Sequence, residues 1–431
     1  MQRDCLVTSK LISQGWVVLR FWESDIKNDL EGCVKMALDV INNDIHKESY
    51  SHASQKTFAE FFAGIGLMRM GLERQGWNIS FSNDIDPQKH EIYKGQFHDT
   101  ENHFVLNDIH NLNADDVPSV TLATASFPCN DLSLAGARSG LNGKHSSAFW
   151  GFIKIIREMG DRKPYLILLE NVTGFLTSHK GADFKEALLT LNSLGYSVDT
   201  FILDAARFVP QSRQRLFVVG ILDGHTNLWE VKEQLQFYES DTRPKALADF
   251  ILQHNEIRWR IRDLPHTPNL EISLKDIIEE IPHTSDFWWS AERAEYLLNQ
   301  MSAKHLGIAK KMIMGVDYSY GTVFRRIRNK KSMAELRTDG IAGCLRTPRG
   351  GSGRQILFKA GKGEYFVRLL TPRECARLMG AGDYVIIVPQ NQALFGFGDA
   401  VCVPVIEWIA KYYLNPVVNE LIRSNPLSAC K

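Results

Sequence analysis

The sequence predicts an α/β protein built on a mostly parallel sheet with helices on both faces. Three apolar runs, at residues 120–125, 165–169 and 216–221, have the length and composition of buried core strands. Residues 149–159 have helical spacing and lie between the first two runs. Ligands of such open sheets bind at the carboxyl ends of the strands. The residues that border these runs are therefore candidates for a functional site.

The first element of this sheet is a strand that runs into a glycine turn at residues 57–66. Gly64 and Gly66 let a ligand approach the backbone at the start of the following helix. A lone Gly-x-Gly is more often a simple turn, and the chain lacks the longer Gly-x-Gly-x-x-Gly fingerprint of nicotinamide dehydrogenases. A second strand, at 79–82, leads to Asp84, where a carboxylate can accept from both hydroxyls of a ribose.

Chemically reactive side chains border the later strands. The Phe-Pro pair that follows the 120–125 run ends that strand and places Cys129 on a loop. Glu170 follows the next run, while Arg213 and Arg215 precede the third. A lone cysteine is more often a core residue. A thiol, a carboxyl and two guanidiniums at strand ends, however, form a set that hydrophobic packing alone does not select, so Cys129 is a nucleophile candidate.

These motifs resemble those of the DNA (cytosine-5)-methyltransferases found in bacterial restriction-modification systems. The resemblance extends over residues 56–415 and rests most strongly on Cys129, Glu170 and the Gln-x-Arg-x-Arg stretch at 211–215. It implies a Rossmann-like sheet that uses S-adenosylmethionine as methyl donor, together with a smaller DNA target-recognition domain. Cys129 would add to C6 of a flipped-out cytosine, Glu170 would act near N3, and the two arginines would orient the base.

The resemblance also implies a cofactor site. Two positions depart from the usual family pattern: Asp84 stands where the family usually has Glu, and Gly-Asp-Ala-Val at 398–401 stands where it usually has Gly-Asn-Ser-Val. By matching motifs, Asp84 is expected on the ribose, Ile85 and Asp108 on the adenine, and Asp399 near the cofactor's amino-acid end. The complete predicted set is Phe62, Gly64, Gly66, Asp84, Ile85, Asp108 and Asp399.

The segment from 222 to about 340 loses the clear alternation of strand and helix, and in the family this is where target recognition lies. Lys and Arg total 50 and Asp and Glu total 50, so a DNA-binding surface must be local. Residues 325–354 contain nine Lys or Arg but only two acids, which favours contact with phosphates. The predicted DNA-binding residues are Arg325, Arg326, Arg328, Arg346, Arg349 and Arg354.

The sequence predicts four segments. Residues 1–50 resemble the closing part of very-short-patch-repair endonucleases, without the stretches that carry their metal-binding carboxylates, and are interpreted as an appendage with no nuclease activity. Residues 56–222 form the catalytic and cofactor-binding domain, 223–380 the target-recognition domain, and 381–431 a segment that returns to the catalytic domain. The role of the first segment is left open.

The composition limits the metal sites, disulfide bonds and cellular location that can be expected for this chain. The seven cysteines are scattered without a Cys-x-x-Cys pair, which argues against a zinc site and a disulfide framework. No metal, no membrane span and no signal peptide are expected, and a bacterial cytoplasm is the predicted location. Double-stranded DNA is the predicted partner, a restriction endonuclease acting on the same sequence is a further candidate, and a monomer is the default.

Two other functions remain open on this scaffold. A tRNA cytosine-5-methyltransferase would typically have a shorter recognition region than the 222–340 segment. A catalytically silent DNA-binding protein would keep Cys129 and Glu170 only as relics, which the presence of the whole reacting set disfavours. The DNA recognition sequence cannot be read from this chain.

Overall fold

The computed structural model describes residues 56–128, 147–222, 240–328, 331–347 and 354–424, together with Ile26, Leu30, Val34 and Leu38. The chain divides into two compact units, Met1–Gln55 with Asn419–Lys431, and Lys56–Val418. The four described residues near the N-terminus are helical and exposed. The remainder of the predicted nuclease-like segment at 1–50 lies outside the described residues.

The larger unit is built on a seven-stranded sheet. Its strands are β1 Thr57–Phe61, β2 Asn78–Asp84, β3 Phe104–Leu106, β4 Leu122–Ala125, β5 Leu166–Val172, β6 Tyr196–Asp204 and β7 Gln214–Leu222. They are arranged in the order β3-β2-β1-β4-β5-β7-β6. The first five strands pair in parallel, and β7 is antiparallel to β5 and β6. This confirms the predicted mostly parallel α/β sheet.

Helices cover this sheet. Residues 166–171 of β5 are all buried, as expected for a central strand with both faces covered. From residue 56 onward, the α-helices among the described residues are α1 Leu67–Glu73, α2 Pro87–Gln96, α3 Ser147–Glu158, α4 Ala182–Ser193, α5 Lys245–Gln253, α6 Leu274–Ile277, α7 Ala291–Asn299, α8 Ala303–Ile313, α9 Pro372–Leu378, α10 Gln390–Asp399, α11 Val403–Ile409 and α12 Asn415–Ser424.

Local sequence explains where several helices begin. Asp86 caps α2, since its carboxylate accepts from the backbone N–H groups of Gln88 and Lys89, and Pro87 suits the first helical position. The aromatic side of α3 packs on the sheet, with the Phe152 ring 5.2 Å from that of Phe61. Burial of one such phenylalanine contributes about 1.5–3 kcal/mol.

A second sheet is formed by later residues. Its strands are β8 Ser319–Arg328, β9 Lys331–Arg337, β10 Ile356–Gly361 and β11 Glu364–Leu369, arranged antiparallel in the order β11-β10-β8-β9. This sheet has a hydrophobic cluster of its own that includes Leu297, Val323 and Phe358. It falls within the segment predicted for target recognition. Both sheets belong to the same compact unit, so a separate recognition domain stays a prediction.

The C-terminal helical run passes one test for a membrane span. Gln390–Leu421 is long and apolar enough to cross a membrane by length and composition, with a mean hydropathy of 1.6 in its most apolar window. However, 67% of that window is buried inside the fold. Ile406 packs on Gly71 of α1 so closely that a Cβ at Gly71 would lie 2.7 Å from it. We therefore interpret the run as a core helix, which passes the same test of length and composition.

Candidate active site

The side chains of Glu170 and Arg215 form an ion pair at the end of the large sheet where the parallel strands have their carboxyl ends. Glu170 is near the end of β5, and its Oε1 is 2.9 Å from Nε of Arg215 at the start of β7. The antiparallel register of these strands pairs Val172 with Arg215 and so brings the two side chains together. Glu170 is buried and Arg215 is half-buried. The structure thus brings together two of the four predicted catalytic residues.

The predicted nucleophile, Cys129, lies outside the described residues, but the backbone that leads to it does not. β4 pairs with β5 so that Ala125 lies opposite Leu169, next to Glu170. The side-chain amide of Asn171 donates to the carbonyl oxygen of Phe127 at 3.2 Å. This contact ties the start of the Cys129 loop to the strand that carries Glu170.

Arg213 has a different environment from Arg215. It is buried, and its guanidinium donates to the carbonyl oxygens of Leu345, Gly398 and Ala400, at 2.9, 3.2 and 2.6 Å. Burial lowers the pKa of this guanidinium, and the neighbouring Arg215 adds to that effect. These contacts hold the segments at Leu345 and at Gly398–Ala400 against the start of β7, and the predicted role of Arg213 in orienting the base stays a prediction.

A thiol that sequence reasoning missed lies beside the two arginines. The Cys344 sulfur is 3.3 Å from Nη1 of Arg213 and is also hydrogen-bonded by Arg215. Burial acts to raise the pKa of Cys344, but Arg213, Arg215 and Arg346 outweigh it and lower the pKa. In the sequence, Cys344 stands out only because it lies within the basic stretch at 325–354. That position does not show that its thiol contacts Arg213 and Arg215.

The glycine turn after β1 has the geometry of a ligand cradle. Phe62, Gly64 and Gly66 all have positive φ, of 58°, 57° and 80°. A Cβ on Gly66 would lie 2.4 Å from the ring of Phe97, so only glycine fits there. Among the described residues beyond its two chain neighbours, no heavy atom lies closer than 4.0 Å to a Cβ built on Gly64. The turn is therefore open on the side where a ligand would approach.

Three predicted cofactor residues lie around this turn. Asp84 accepts from the backbone N–H groups of Gly64 at 2.8 Å and Asp86 at 2.9 Å, so its carboxylate is fixed against the turn. Ile85 is 62% exposed, so its apolar side chain is accessible to a flat apolar ligand. Asp108 is half-buried and caps a short turn by accepting from the N–H of His110 at 3.0 Å. These residues fit the nucleoside part of S-adenosylmethionine.

Asp399 has a partner that the sequence analysis did not identify. Its Oδ2 is 3.0 Å from Nζ of Lys89, in the first turn of α2. Lys89 is one of many surface-type lysines in the sequence, and nothing in its local pattern indicates a contact with a residue so distant along the chain. Among the described residues, no group of three or more His, Cys, Asp or Glu side chains is placed to bind a metal ion.

A buried carboxyl, that of Glu60, is on strand β1 shortly before the glycine turn. Burial raises its pKa to about 8, although Arg69 opposes that shift. Its Oε2 has no hydrogen-bond partner among the described residues. Arg69 itself pairs with Glu73 at 2.7 Å and with Asp99 at 2.8 Å. At neutral pH the Glu60 carboxyl is therefore held in its neutral form, close in sequence to the glycine turn.

The predicted DNA-binding arginines lie in different environments. Arg326 on β8 is exposed, and its guanidinium lies over the Phe324 ring at 4.7 Å. Arg325 and Arg354 are half-buried, and the Nε atom of each has no partner among the described residues. Arg346 is exposed in the loop that contains Cys344. Arg349 and the side chain of Arg328 lie outside the described residues.

The sheet and the site first define a class of protein. A strand order of β3-β2-β1-β4-β5-β7-β6, with a glycine turn after β1 and an acid at the end of β2, is an α/β methyltransferase fold. Two solved structures share it: Entamoeba histolytica methyltransferase EhMeth (TM-score 0.57, 16% identity, 84% of this chain and 99% of that one) and S. pombe Dnmt2 methyltransferase (TM-score 0.54, 18% identity, 84% and 98%).

Sequence comparison then gives the family. The family model for C-5 cytosine-specific DNA methylases matches residues 56–415, and the chain belongs to this family of S-adenosylmethionine-dependent DNA methyltransferases. Type II methyltransferase M.SsoII of Shigella sonnei is 30% identical over 355 residues, covering 82% of this chain and 78% of the relative. Type II methyltransferase M.HhaI of Haemophilus parahaemolyticus is 28% identical over 362 residues, covering 82% and 92%.

Proposed function

We propose that this chain transfers a methyl group from S-adenosylmethionine to C5 of a cytosine within a specific duplex DNA sequence, through a covalent bond between Cys129 and C6. The Glu170–Arg215 ion pair carries the proposal, because it lies at the strand edge where β4 leads to Cys129. For packing alone, an apolar residue at this position would stabilise the fold as well as or better than a buried, paired carboxylate.

The chemistry follows from the weak nucleophilicity of C5. The Cys129 thiolate adds to C6, which makes C5 an enamine-like carbon, and a proton carried by the Glu170 carboxyl moves to N3 and neutralises the negative charge that develops on the ring. C5 then takes the methyl group, whose sulfonium donor leaves as a neutral thioether. Loss of the C5 proton to a base, expulsion of the thiolate and return of the N3 proton to Glu170 restore the aromatic ring.

The two arginines have separate roles in this proposal. Arg215 holds Glu170 in position and supplies positive charge beside the reacting ring. Arg213 is a positioning residue in this proposal, since its Nη1 and Nη2 atoms donate to the carbonyl oxygens of Leu345, Gly398 and Ala400. It fixes the Cys344 loop and the end of α10 against the start of β7.

The glycine turn and the acids around it hold the cofactor. Phe62, Gly64 and Gly66 line the turn, Asp84 accepts from the ribose hydroxyls, and Ile85 packs on the adenine. Asp108 accepts from the adenine amino group through the oxygen that its cap leaves free. Asp399 lies toward the amino-acid end. No metal takes part in this scheme.

DNA is bound by the second sheet and the loops around it. Arg325, Arg326, Arg328, Arg346, Arg349 and Arg354 contact phosphates in this proposal, and the local excess of positive charge supports it. The target cytosine is inaccessible inside a duplex and swings out into the site, at a cost of a few kcal/mol. Residues 223–380 form the recognition domain, with 381–431 returning to the catalytic sheet.

The biological setting is proposed from the relatives, which are named Type II methyltransferases. The chain acts as a monomer in a bacterial cytoplasm and protects DNA from a restriction endonuclease that cuts the same sequence. Residues 1–50 serve as an appendage without nuclease activity. Deletion of these residues is expected to leave methylation intact.

Bisulfite sequencing tests the proposal. Plasmid DNA from a methylation-deficient host that expresses the chain is compared with DNA from a host that expresses Cys129→Ala. Protected cytosines in one short sequence, absent with the variant, are expected. An unchanged pattern with Cys129→Ala would refute the mechanism. If no cytosine is protected in either sample but tRNA accepts a labelled methyl group from S-adenosylmethionine, a tRNA methyltransferase is favoured. If neither DNA nor tRNA accepts the labelled methyl group, a silent DNA-binding protein is favoured.

A further inference from the structure

The ammonium group of Lys89 interacts with three carboxylates near the glycine turn, where the cofactor is proposed to bind. Nζ of Lys89 is 3.0 Å from Oδ2 of Asp399, the last residue of α10. Asp84 and Asp86 are the other carboxylates that act on it. Burial alone would lower the pKa of Lys89, but the three carboxylates together raise it. Lys89 is therefore charged and is the counterion of this group.

The ion pair completes a contact between two helices that border the glycine turn. Nε2 of Gln392, on α10, donates to the carbonyl oxygen of Gln88 at 3.2 Å. α10 also lies close to the turn itself, because a Cβ on Gly396 would be 2.9 Å from the side chain of Ile65. The contact of Lys89 with Asp399 fixes the C-terminal end of α10 against the first turn of α2.

The charge of Asp399 makes this contact necessary. The family usually has asparagine at this position, and a neutral amide needs no counterion. An aspartate instead adds a second carboxylate that acts on Lys89, besides Asp84, which is itself fixed by the N–H groups of Gly64 and Asp86. Two like charges beside one ligand repel each other, and the repulsion is stronger where water is partly excluded.

We propose that Lys89 and Asp399 form a positioning pair for the cofactor, in which the ammonium neutralises Asp399 and fixes the end of α10 beside Asp84. The inference rests on the proposed function, since it assumes that this edge binds S-adenosylmethionine. Lys89 does not touch the reacting atoms. It acts through Asp84 and Asp399, and this chain needs it because it has aspartate in place of asparagine.

A double-mutant cycle tests the pair. The affinity of the full chain for S-adenosylhomocysteine is measured by titration calorimetry without DNA, so that binding is separate from methylation. Lys89→Met is expected to weaken binding about tenfold, equivalent to about 1.4 kcal/mol. Lys89→Met combined with Asp399→Asn is expected to return to within about threefold of the wild type, because the amide needs no counterion. Lys89→Arg, which keeps the charge, is expected to bind like the wild type.

Lys94→Met provides the matched control, because Lys94 is on the same helix and pairs with Glu101 at an exposed position. It is expected to change nothing. In steady-state assays Lys89→Met is expected to raise KM for S-adenosylmethionine and leave kcat near the wild-type value, and the melting temperature of the ligand-free protein is expected to stay unchanged. If Lys89→Met does not fold, Lys89→Gln takes its place in the cycle.

The outcomes separate this inference from the proposed function. Wild-type affinity in Lys89→Met, or no recovery in the double variant, would overturn the positioning pair while leaving methylation intact. A wild-type chain that does not bind S-adenosylhomocysteine would overturn the proposed function, and the inference with it.

Discussion

Replacement of each arginine in the Gln-x-Arg-x-Arg stretch separates stability from catalysis. Arg213→Met removes the donor for the carbonyl oxygens of Leu345, Gly398 and Ala400. A buried carbonyl left without a partner costs about 1–3 kcal/mol, and partial relaxation offsets some of this. We expect the free energy of unfolding to fall by about 3–5 kcal/mol, a value typical of a broken buried network.

Arg215→Met has the opposite profile. Its guanidinium pairs with Glu170 at 2.9 Å but is half-buried, so the variant is expected to cost about 1–2 kcal/mol of stability. Methylation is expected to fall by at least a hundredfold, since loss of one preorganised charge at a reacting group costs about that much. The properly folded fraction of each variant is measured first, and methylation is then expressed per folded molecule.

Urea unfolding and a tritiated-methyl transfer assay measure the two quantities. Arg207→Met is the control, because Arg207 is exposed and pairs only with Asp241 among the described residues; its stability is expected to stay within about 0.5 kcal/mol of the wild type. If Arg213→Met unfolds within about 1 kcal/mol of the wild type and yet abolishes methylation per folded molecule, then Arg213 acts on the base and our interpretation is refuted.

Three further predictions concern charge and acidity. Cys344 is expected to react with iodoacetamide near neutral pH faster than Cys375 and Cys402, because its arginine neighbours lower its pKa while burial raises the pKa of the other two, to about 12 for Cys402; equal labelling in peptide mass spectra would contradict this. Glu60 stays protonated in the folded protein up to about pH 8 but ionises near 4.5 when unfolded, so between these values stability falls by about 1.4 kcal/mol per pH unit through this group. Glu60→Gln is therefore expected to gain stability relative to the wild type as pH rises from 5.5 to 8, and parallel pH profiles of the two proteins would exclude the effect. Arg346→Ala is expected to weaken DNA binding uniformly across sequences and to reduce the slope of log affinity against log salt by about 1; an unchanged slope in titrations at several salt concentrations would remove Arg346 from the phosphate contacts.

The strands of the catalytic sheet could be predicted because their signal is local. The apolar runs at 120–125, 165–169 and 216–221 overlap β4, β5 and β7, and strands buried on both faces are recognisable from continuous hydrophobicity. The glycine turn after β1 was predictable for a similar reason, since positive φ at Gly64 and Gly66 requires a particular residue type.

The sequence by itself determined the class of fold, the family, and the residue types that the chemistry needs. It could not decide which of the two arginines that flank Gln214 pairs with Glu170 and which contacts Leu345, Gly398 and Ala400, because these partners come from distant segments of the chain. Tertiary structure alone brought Cys344 to the arginines and Lys89 to Asp399. Such contacts join residues that are far apart in the chain, and their energies depend on burial and distance, which no local pattern records.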